Sequence, residues 1–144
     1  MSLVKTNKES ELELLSLNQK LLDSITSCDY ATYKTICHPS LTCIEAETRG
    51  ELVEGLEFHK FYFDNSSKES VENKVVNVIM ASPQVRFLGA DGNAALMTYI
   101  RLTQVYDKCT KEFIRTSREE ETRIYEKIDG KWWHVHFHRS KMSA

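Results

Sequence analysis

The chain has 144 residues, of which 41% are hydrophobic and 28% charged, and its formal net charge is −2 at pH 7. This apolar fraction excludes a predominantly disordered chain, and the length suits one domain with a single core. The near balance of charge gives no electrostatic reason to expect a nucleic acid or an anionic membrane as partner. No apolar run approaches the roughly 18–20 residues that span a bilayer.

The N-terminal segment lacks the apolar stretch of a secretory signal. We therefore expect residues 1–6 to be disordered or vector-derived, and the domain to occupy 7–141. The four cysteines are irregularly spaced and form no C-x-x-C pair. This pattern favours reduced thiols in a cytoplasmic protein.

The first two predicted elements are helices. Apolar residues recur at helical spacing over 7–27, which predicts a long amphipathic helix. Asp29 is typical of the N-cap of a second, shorter helix, which would bury Tyr33 and Cys37 and end at Pro39.

A short strand is then expected over 41–46, followed by a third helix over 51–64. The apolar stripe of that helix would run from Leu52 to Phe63 in steps of three or four residues and would include His59.

From residue 71 onward the apolar period changes to two, which predicts a meander of long strands. Pro83 indicates a bulge or bend in the first of them. Asp129-Gly130 indicates a two-residue hairpin, because both central residues of that turn need positive φ. The later strands are expected over 94–106, 113–128 and 131–139. Helices followed by a strand meander predict an α+β domain with its helices on one side of a curved sheet.

The strand over 94–106 has two apolar faces. Leu96, Ile100 and Leu102 alternate onto one face, and Tyr99 and Arg101 onto the other. Helices in a domain of this size cover one sheet face only, so the other face needs a different apolar contact. We predict a homo-oligomer with Leu96, Ile100 and Leu102 at its interface. The alternative is that the long N-terminal helix or a bulge covers this face within one subunit.

Arginines from three neighbouring strands fall on the face expected to meet the helices. These residues are Arg101, Arg123 and Arg139. A buried guanidinium stays charged and needs an acceptor. One interpretation is an anion pocket capped by His59 and Tyr33, which would take a carboxylate bidentately. The other is internal ion pairing with Glu45, Glu119 or Glu121.

The last strand contains an H-x-H-x-H pattern. His134, His136 and His138 should share a face with Trp132, opposite the face that carries Phe137. Alternate histidines can ligate zinc, but a further ligand would be needed. We expect a polar or interfacial stripe and no metal. The chain also lacks the nucleotide-binding, protein-kinase and EF-hand motifs, and we expect no cofactor.

Five segments resemble the association (hub) domain of calcium/calmodulin-dependent protein kinase II. They are GELVEGLEFHKFYF (50–63), YIRLTQ (99–104), EETR (120–123), DGKW (129–132) and VHFHRS (135–140). The resemblance covers roughly 9–140. It implies a cone of the nuclear-transport-factor-2-like (cystatin-like) kind, in which a long N-terminal helix and two shorter helices pack on a strongly curved antiparallel sheet.

The resemblance also implies a function without catalysis. Hubs of this family form dimers that assemble into a two-layer ring, commonly of about twelve or fourteen subunits, and gather kinase subunits at high local concentration. The family pocket is lined by arginines and accepts small carboxylates related to hydroxybutyrate. Its matching positions here are Arg101, Arg123, Arg139, His59 and Tyr33. Residues 65–68 depart from the usual loop beside that pocket.

Two functions of different classes follow as hypotheses. The leading hypothesis is a non-catalytic hub whose partners are other copies of the chain, kinase subunits and a small carboxylate, but neither nucleic acid nor membrane. The alternative is a stand-alone binding protein or enzyme of the isomerase or dehydratase type, which would need a carboxylate base in an apolar wall.

Overall fold

The computed structural model describes residues 7–45, 51–57, 60, 63 and 73–141. Its elements follow the chain order helix, helix, then six strands. They are α1 (Asn7–Thr26), α2 (Tyr30–Ile36), β1 (Cys37–Ile44), β2 (Val53–Glu54), β3 (Lys74–Leu88), β4 (Ala94–Asp107), β5 (Phe113–Ile128) and β6 (Lys131–Lys141). The predicted N-terminal segment 1–6 lies outside the described residues.

The strands form one sheet in the order β2-β1-β6-β5-β4-β3. The described pairs are antiparallel except β1 with β6, which run parallel. The antiparallel sheet that the sequence predicts is therefore a meander of four long strands extended by one parallel neighbour.

The two helices pack over one face of the sheet and form the core with it. In α1 the leucines Leu14, Leu21 and Leu22 are buried, which confirms the predicted amphipathic helix. Asp29 caps α2 as predicted, because its side chain accepts a hydrogen bond from the Thr32 N–H at 3.1 Å. This arrangement leaves the opposite sheet face without helices among the described elements.

The segment after α2 differs from the prediction. The strand begins at Cys37, directly after the helix, and includes Pro39, where the register between β1 and β6 shifts. Proline is tolerated there because an irregular pairing does not require its missing N–H. The expected start at residue 41 was therefore wrong.

The predicted third helix begins later than residue 51. Val53 and Glu54 form β2 and pair with β1, and Gly55, with φ +93°, donates its N–H to the Leu41 carbonyl at 2.7 Å. Leu52, predicted on a buried stripe, is 61% exposed. The described residues 57, 60 and 63 are helical.

Both predicted irregularities of the meander are confirmed. The β3–β4 register shifts between Ala81 and Gln84, on either side of Pro83. The β5–β6 hairpin turns at Asp129 (φ 51°) and Gly130 (φ 79°), and both residues therefore have the positive φ that the tight turn requires.

The alternation predicted for β6 was wrong in its first half. His134 pairs with Tyr125 and His136 with the adjacent Ile124, so Val135 is an extra residue in β6. A bulge of this kind moves every residue before it to the opposite face. Trp132 and His134 are consequently buried on the helix side, whereas His138 is exposed.

Candidate functional site

The helix side of the sheet contains a layer of arginines and glutamates. Arg101 lies opposite Glu119 in the β4–β5 register, and Arg139 lies opposite Glu121 in the β5–β6 register. Residues that face each other in a sheet share a face, which brings these four side chains together. The predicted grouping of arginines on this face is thus present in the structure.

Glu121 is the centre of the layer. Its side chain is fully buried, and its two oxygens lie 3.1 Å from Arg101 Nη1 and 3.1 Å from Arg123 Nη2. Tyr99 also donates its hydroxyl to this carboxylate. Burial alone would raise the pKa of Glu121, but the two guanidinium groups outweigh it and hold the pKa below its ordinary value. Glu121 is therefore ionised at neutral pH.

Arg123 is enclosed on every side. It donates from Nε to the Tyr99 hydroxyl at 2.7 Å and contacts His134 Nε2 at 3.3 Å. Its guanidinium also lies 4.6 Å from the centroid of the Phe137 ring. The residue is 1% exposed, and the Glu121 charge more than offsets the effect of burial, raising the pKa of Arg123. Arg123 is therefore a permanently charged, buried residue that fixes the positions of the Tyr99, His134 and Glu121 side chains.

His134 connects this layer to the start of β1. Because Arg123 has only donors, His134 must accept at Nε2, and its proton must therefore lie on Nδ1. Nδ1 then donates to Cys37 Sγ at 3.2 Å. Burial raises the pKa of the Cys37 thiol to about 12, so this Cys–His pair does not supply a thiolate nucleophile at neutral pH. Sequence reasoning missed this contact, since only the bulge turns His134 inward.

Tyr33 lies within the core rather than at a solvent-exposed edge. It is 2% exposed, and its ring packs against Phe63 with centroids 4.9 Å apart. Burial raises the pKa of Tyr33 well above its ordinary value, with a smaller contribution from Cys37. His59, the other residue predicted to cap the pocket, lies outside the described residues.

Arg139 occupies the more accessible end of the layer. Its Nη2 lies 2.9 Å from Glu45 Oε2 and its Nη1 lies 3.1 Å from Glu119 Oε2. Its side chain is 15% exposed, and that of Arg101 is 12% exposed. Each of the three predicted arginines therefore makes at least one ion pair with Glu45, Glu119 or Glu121, the internal pairing that the sequence left open. Binding of an external carboxylate stays a prediction.

The opposite sheet face carries the residues predicted at the interface. Leu96, Ile100 and Leu102 are half-buried there, and Ile79, opposite Leu102 in register, is 46% exposed. Ile100 also lines a shallow, largely polar depression of about 390 Å³ on this face. Its lining includes Thr98, Glu120, Thr122, His138 and Ser140. The face is thus mixed rather than uniformly apolar.

The three histidines of β6 do not form one cluster. His134 faces the helices, whereas His138 lines the depression on the other face. His136 contacts Thr42 Oγ1 through Nδ1 at 2.6 Å. Among the described residues, no group of three or more His, Cys, Asp or Glu side chains could hold a metal ion. Likewise, no described helix is both long and apolar enough to cross a membrane.

The chain is similar to one family over nearly its whole length. The matching family model is described as the calcium/calmodulin dependent protein kinase II association domain and covers residues 10–143. The type II subunit delta of calcium/calmodulin-dependent protein kinase from Oryctolagus cuniculus is 42% identical over 137 residues, which is 95% of this chain and 24% of the relative. The chain spans about a quarter of the length of the curated relatives it matches.

Solved structures agree with this similarity. The hub homology domain of the Chlamydomonas reinhardtii kinase has a TM-score of 0.80 at 45% identity and covers 93% of this chain and 99% of that chain. A nuclear transport factor 2-like protein from Salmonella enterica has a TM-score of 0.68 at 17% identity and covers 96% of this chain and 95% of that chain. The second likeness concerns the fold alone, and together they confirm the predicted α+β cone.

Proposed function

Because the chain belongs to the calcium/calmodulin-dependent protein kinase II association-domain family, we propose that it is a non-catalytic oligomerisation hub. Copies of it would form dimers and then a two-layer ring, for which about twelve or fourteen subunits are expected. The ring would gather kinase subunits of the same family in the cytoplasm and raise their local concentration.

The observation that supports self-association is the sheet face without helices. Ile79, Ile100 and Leu102 form an apolar area on β3 and β4, and covering it removes hydrocarbon surface from water. The polar centre around Glu120 and His138 supplies hydrogen-bonding groups that favour one orientation of the contact. A second copy of the chain fits this mixed character.

Native mass spectrometry of the purified chain tests the hub directly. We expect a ring-sized species, and a monodisperse monomer at micromolar concentration would contradict the proposal. Ile100→Asp should reduce the assembled mass while leaving far-UV circular dichroism unchanged, because it places an unpaired charge in a desolvated contact. Leu12→Asp is the matched control, since Leu12 is 56% exposed on α1 and outside the proposed interface.

We further propose that the concave side accepts a small carboxylate. Arg101 and Arg139 are the guanidinium groups of the layer that are partly exposed, and Tyr33 is buried in the core on the same side of the sheet. Titration calorimetry with 4-hydroxybutyrate measures this binding. Arg139→Ala should weaken it at least tenfold, and unchanged binding in that variant would refute the pocket without affecting the hub.

The arrangement argues against the isomerase or dehydratase alternative. A general base in such a cavity needs a carboxylate with a raised pKa in an apolar wall. Here the pKa of Glu121 is lowered by its arginines, and Glu45 and Glu119 each contact Arg139. These carboxylates are held as counterions, which favours binding over proton abstraction.

A further inference from the structure

We propose that the depression on the sheet face without helices is a binding site for a guanidinium group, which Arg118 of a second copy supplies. This inference rests on the proposed self-association and deepens it by naming the residues that join two copies. Each copy inserts its Arg118 beside Glu120 of the other copy, so that one two-fold axis forms two identical ion pairs.

The depression suits a cation rather than an anion. Glu120 is exposed within it, and three hydroxyl groups add acceptors, from Thr98, Thr122 and Ser140. The carboxylate of Glu121, the other acidic residue of the lining, is held by arginines on the helix side. The described lining includes neither lysine nor arginine. A guanidinium has five N–H donors, and a carboxylate flanked by hydroxyl groups can accept from several of them.

Arg118 is an exposed cation beside this depression. In the β4–β5 register it lies opposite Leu102, while Glu120 lies opposite Ile100, so each charge has an apolar neighbour on the same face. The two charged residues are two positions apart on β5, which separates them by roughly 6.6 Å along the strand. Neither makes an ion pair within the described part of the chain. Both charges are therefore available to a second copy.

This spacing is complementary to itself under a two-fold rotation. An axis that lies between two stacked sheets and crosses β5 between Arg118 and Glu120 makes the two β5 strands antiparallel. It places Arg118 of each copy over Glu120 of the other, since in such a contact residue i meets residue j and j meets i. The same rotation places Ile100 of each copy over Leu102 of the other, because these residues are their neighbours in register.

The shape of the face agrees with this arrangement. Stacked sheets lie about 10 Å apart, so a long side chain is needed to reach from one to the other, and the depression gives its end group room. The apolar contact between Ile100 and Leu102 of the two copies excludes water from the neighbouring ion pair. A charge pair in such a place contributes more to specificity than one at an exposed rim.

Charge reversal in the full chain, followed by native mass spectrometry over a concentration series, tests the pairing. We expect Arg118→Glu and Glu120→Arg each to raise the concentration needed for half-assembly at least tenfold, because like charges then meet. An equimolar mixture of these two variants should assemble again, since one chain carries two carboxylates and the other two guanidinium groups. The chain with both substitutions should assemble with itself but not with the wild type.

The controls are Arg115→Glu, at an exposed residue opposite buried Val105 on the helix side, and Glu112→Arg, at an exposed residue before β5. Each should change the half-assembly concentration by less than about twofold, and far-UV circular dichroism checks the fold of every variant. If the wild type assembles and Arg118→Glu assembles equally well, the inference is overturned while the hub stands. Failure of the mixture and of the doubly substituted chain would also overturn the pairing. A monomeric wild type would refute the hub and this contact together.

Discussion

Replacing Glu121 with glutamine should destabilise the fold strongly, because Arg123 would lose the carboxylate that balances its charge. Both side chains are essentially buried, and the same substitution also removes the ion pair of Arg101. Breaking a buried pair by removing one partner typically costs about 3–5 kcal/mol. For a domain of this size that loss corresponds to a fall in Tm of roughly 10–20 °C.

The assay is chemical and thermal unfolding at fixed protomer concentration, since self-association shifts the apparent stability. Glu126→Gln is the matched control, and its free energy of unfolding should change by less than about 0.5 kcal/mol. The double substitution Glu121→Leu, Arg123→Met should recover much of the loss, because it removes both buried charges. A loss below about 1 kcal/mol for Glu121→Gln would refute the idea that the layer is held by its central carboxylate.

Three further predictions concern pH, thiols and the hairpin. In the folded state the pKa of Glu121 is lowered below its ordinary 4.5, so the carboxylate contributes to the free energy of unfolding above pH 4.5 and loses that contribution as pH falls through the folded pKa. The difference in free energy of unfolding between the wild type and Glu121→Gln should therefore decrease only under acid conditions. At pH 8 a thiol reagent should label exposed Cys109 rapidly and spare buried Cys37 and Cys43 in the native protein, with labelling positions read by mass spectrometry. Gly130→Ala should cost about 1–2 kcal/mol in unfolding experiments, since φ there is +79° and the added methyl meets no atom within 4 Å.

The parts of the fold that the sequence predicted well are those with local signals. The span predicted for β5, residues 113–128, is the observed one, because a tight turn at Asp129-Gly130 closes one end and the polar loop 107–111 separates the other from β4. Asp29 likewise indicated the start of α2, because its side chain caps the helix by accepting a hydrogen bond from the Thr32 N–H. In these places the chemistry of one or two residues decides the structure.

The errors arose where a distant strand decides the local conformation. The apolar spacing that begins at Leu52 predicts a helix, but Val53 and Glu54 pair with β1 instead. Strand pairing at the edge of the sheet outweighs this weak local preference for a helix. Val135 gave no sign of a bulge, because a β-branched residue suits a regular strand equally well. Because of that one extra residue, Trp132 and His134 lie on the sheet face opposite to the predicted one. The contact between His134 and Cys37 was therefore not predicted.

The candidate site was predicted in its residues but not in its pairing. Alternation alone grouped Arg101, Arg123 and Arg139 on one face, since the period of two is intrinsic to a strand. Which carboxylate meets which arginine depends on the registers of β4, β5 and β6, and a one-residue slip would replace Glu119 and Glu121 with residues of the other face. Register depends on how the strands pair in the assembled sheet, so no single segment of the sequence predicts it.

The two proposed activities occupy opposite faces of the same strands, and this makes them separable by experiment. Ile100 and Glu120 face outward, while their chain neighbours Arg101 and Glu119 face the helices. A charge added at Ile100 acts at the contact between copies, whereas a charge removed at Arg139 acts inside one copy. Ile100→Asp should therefore lower the assembled mass with the affinity for 4-hydroxybutyrate unchanged, and Arg139→Ala should lower that affinity with the assembled mass unchanged. If either variant altered both measurements equally, the sheet would be transmitting strain between its faces, and the assignment of one function to each face would fail.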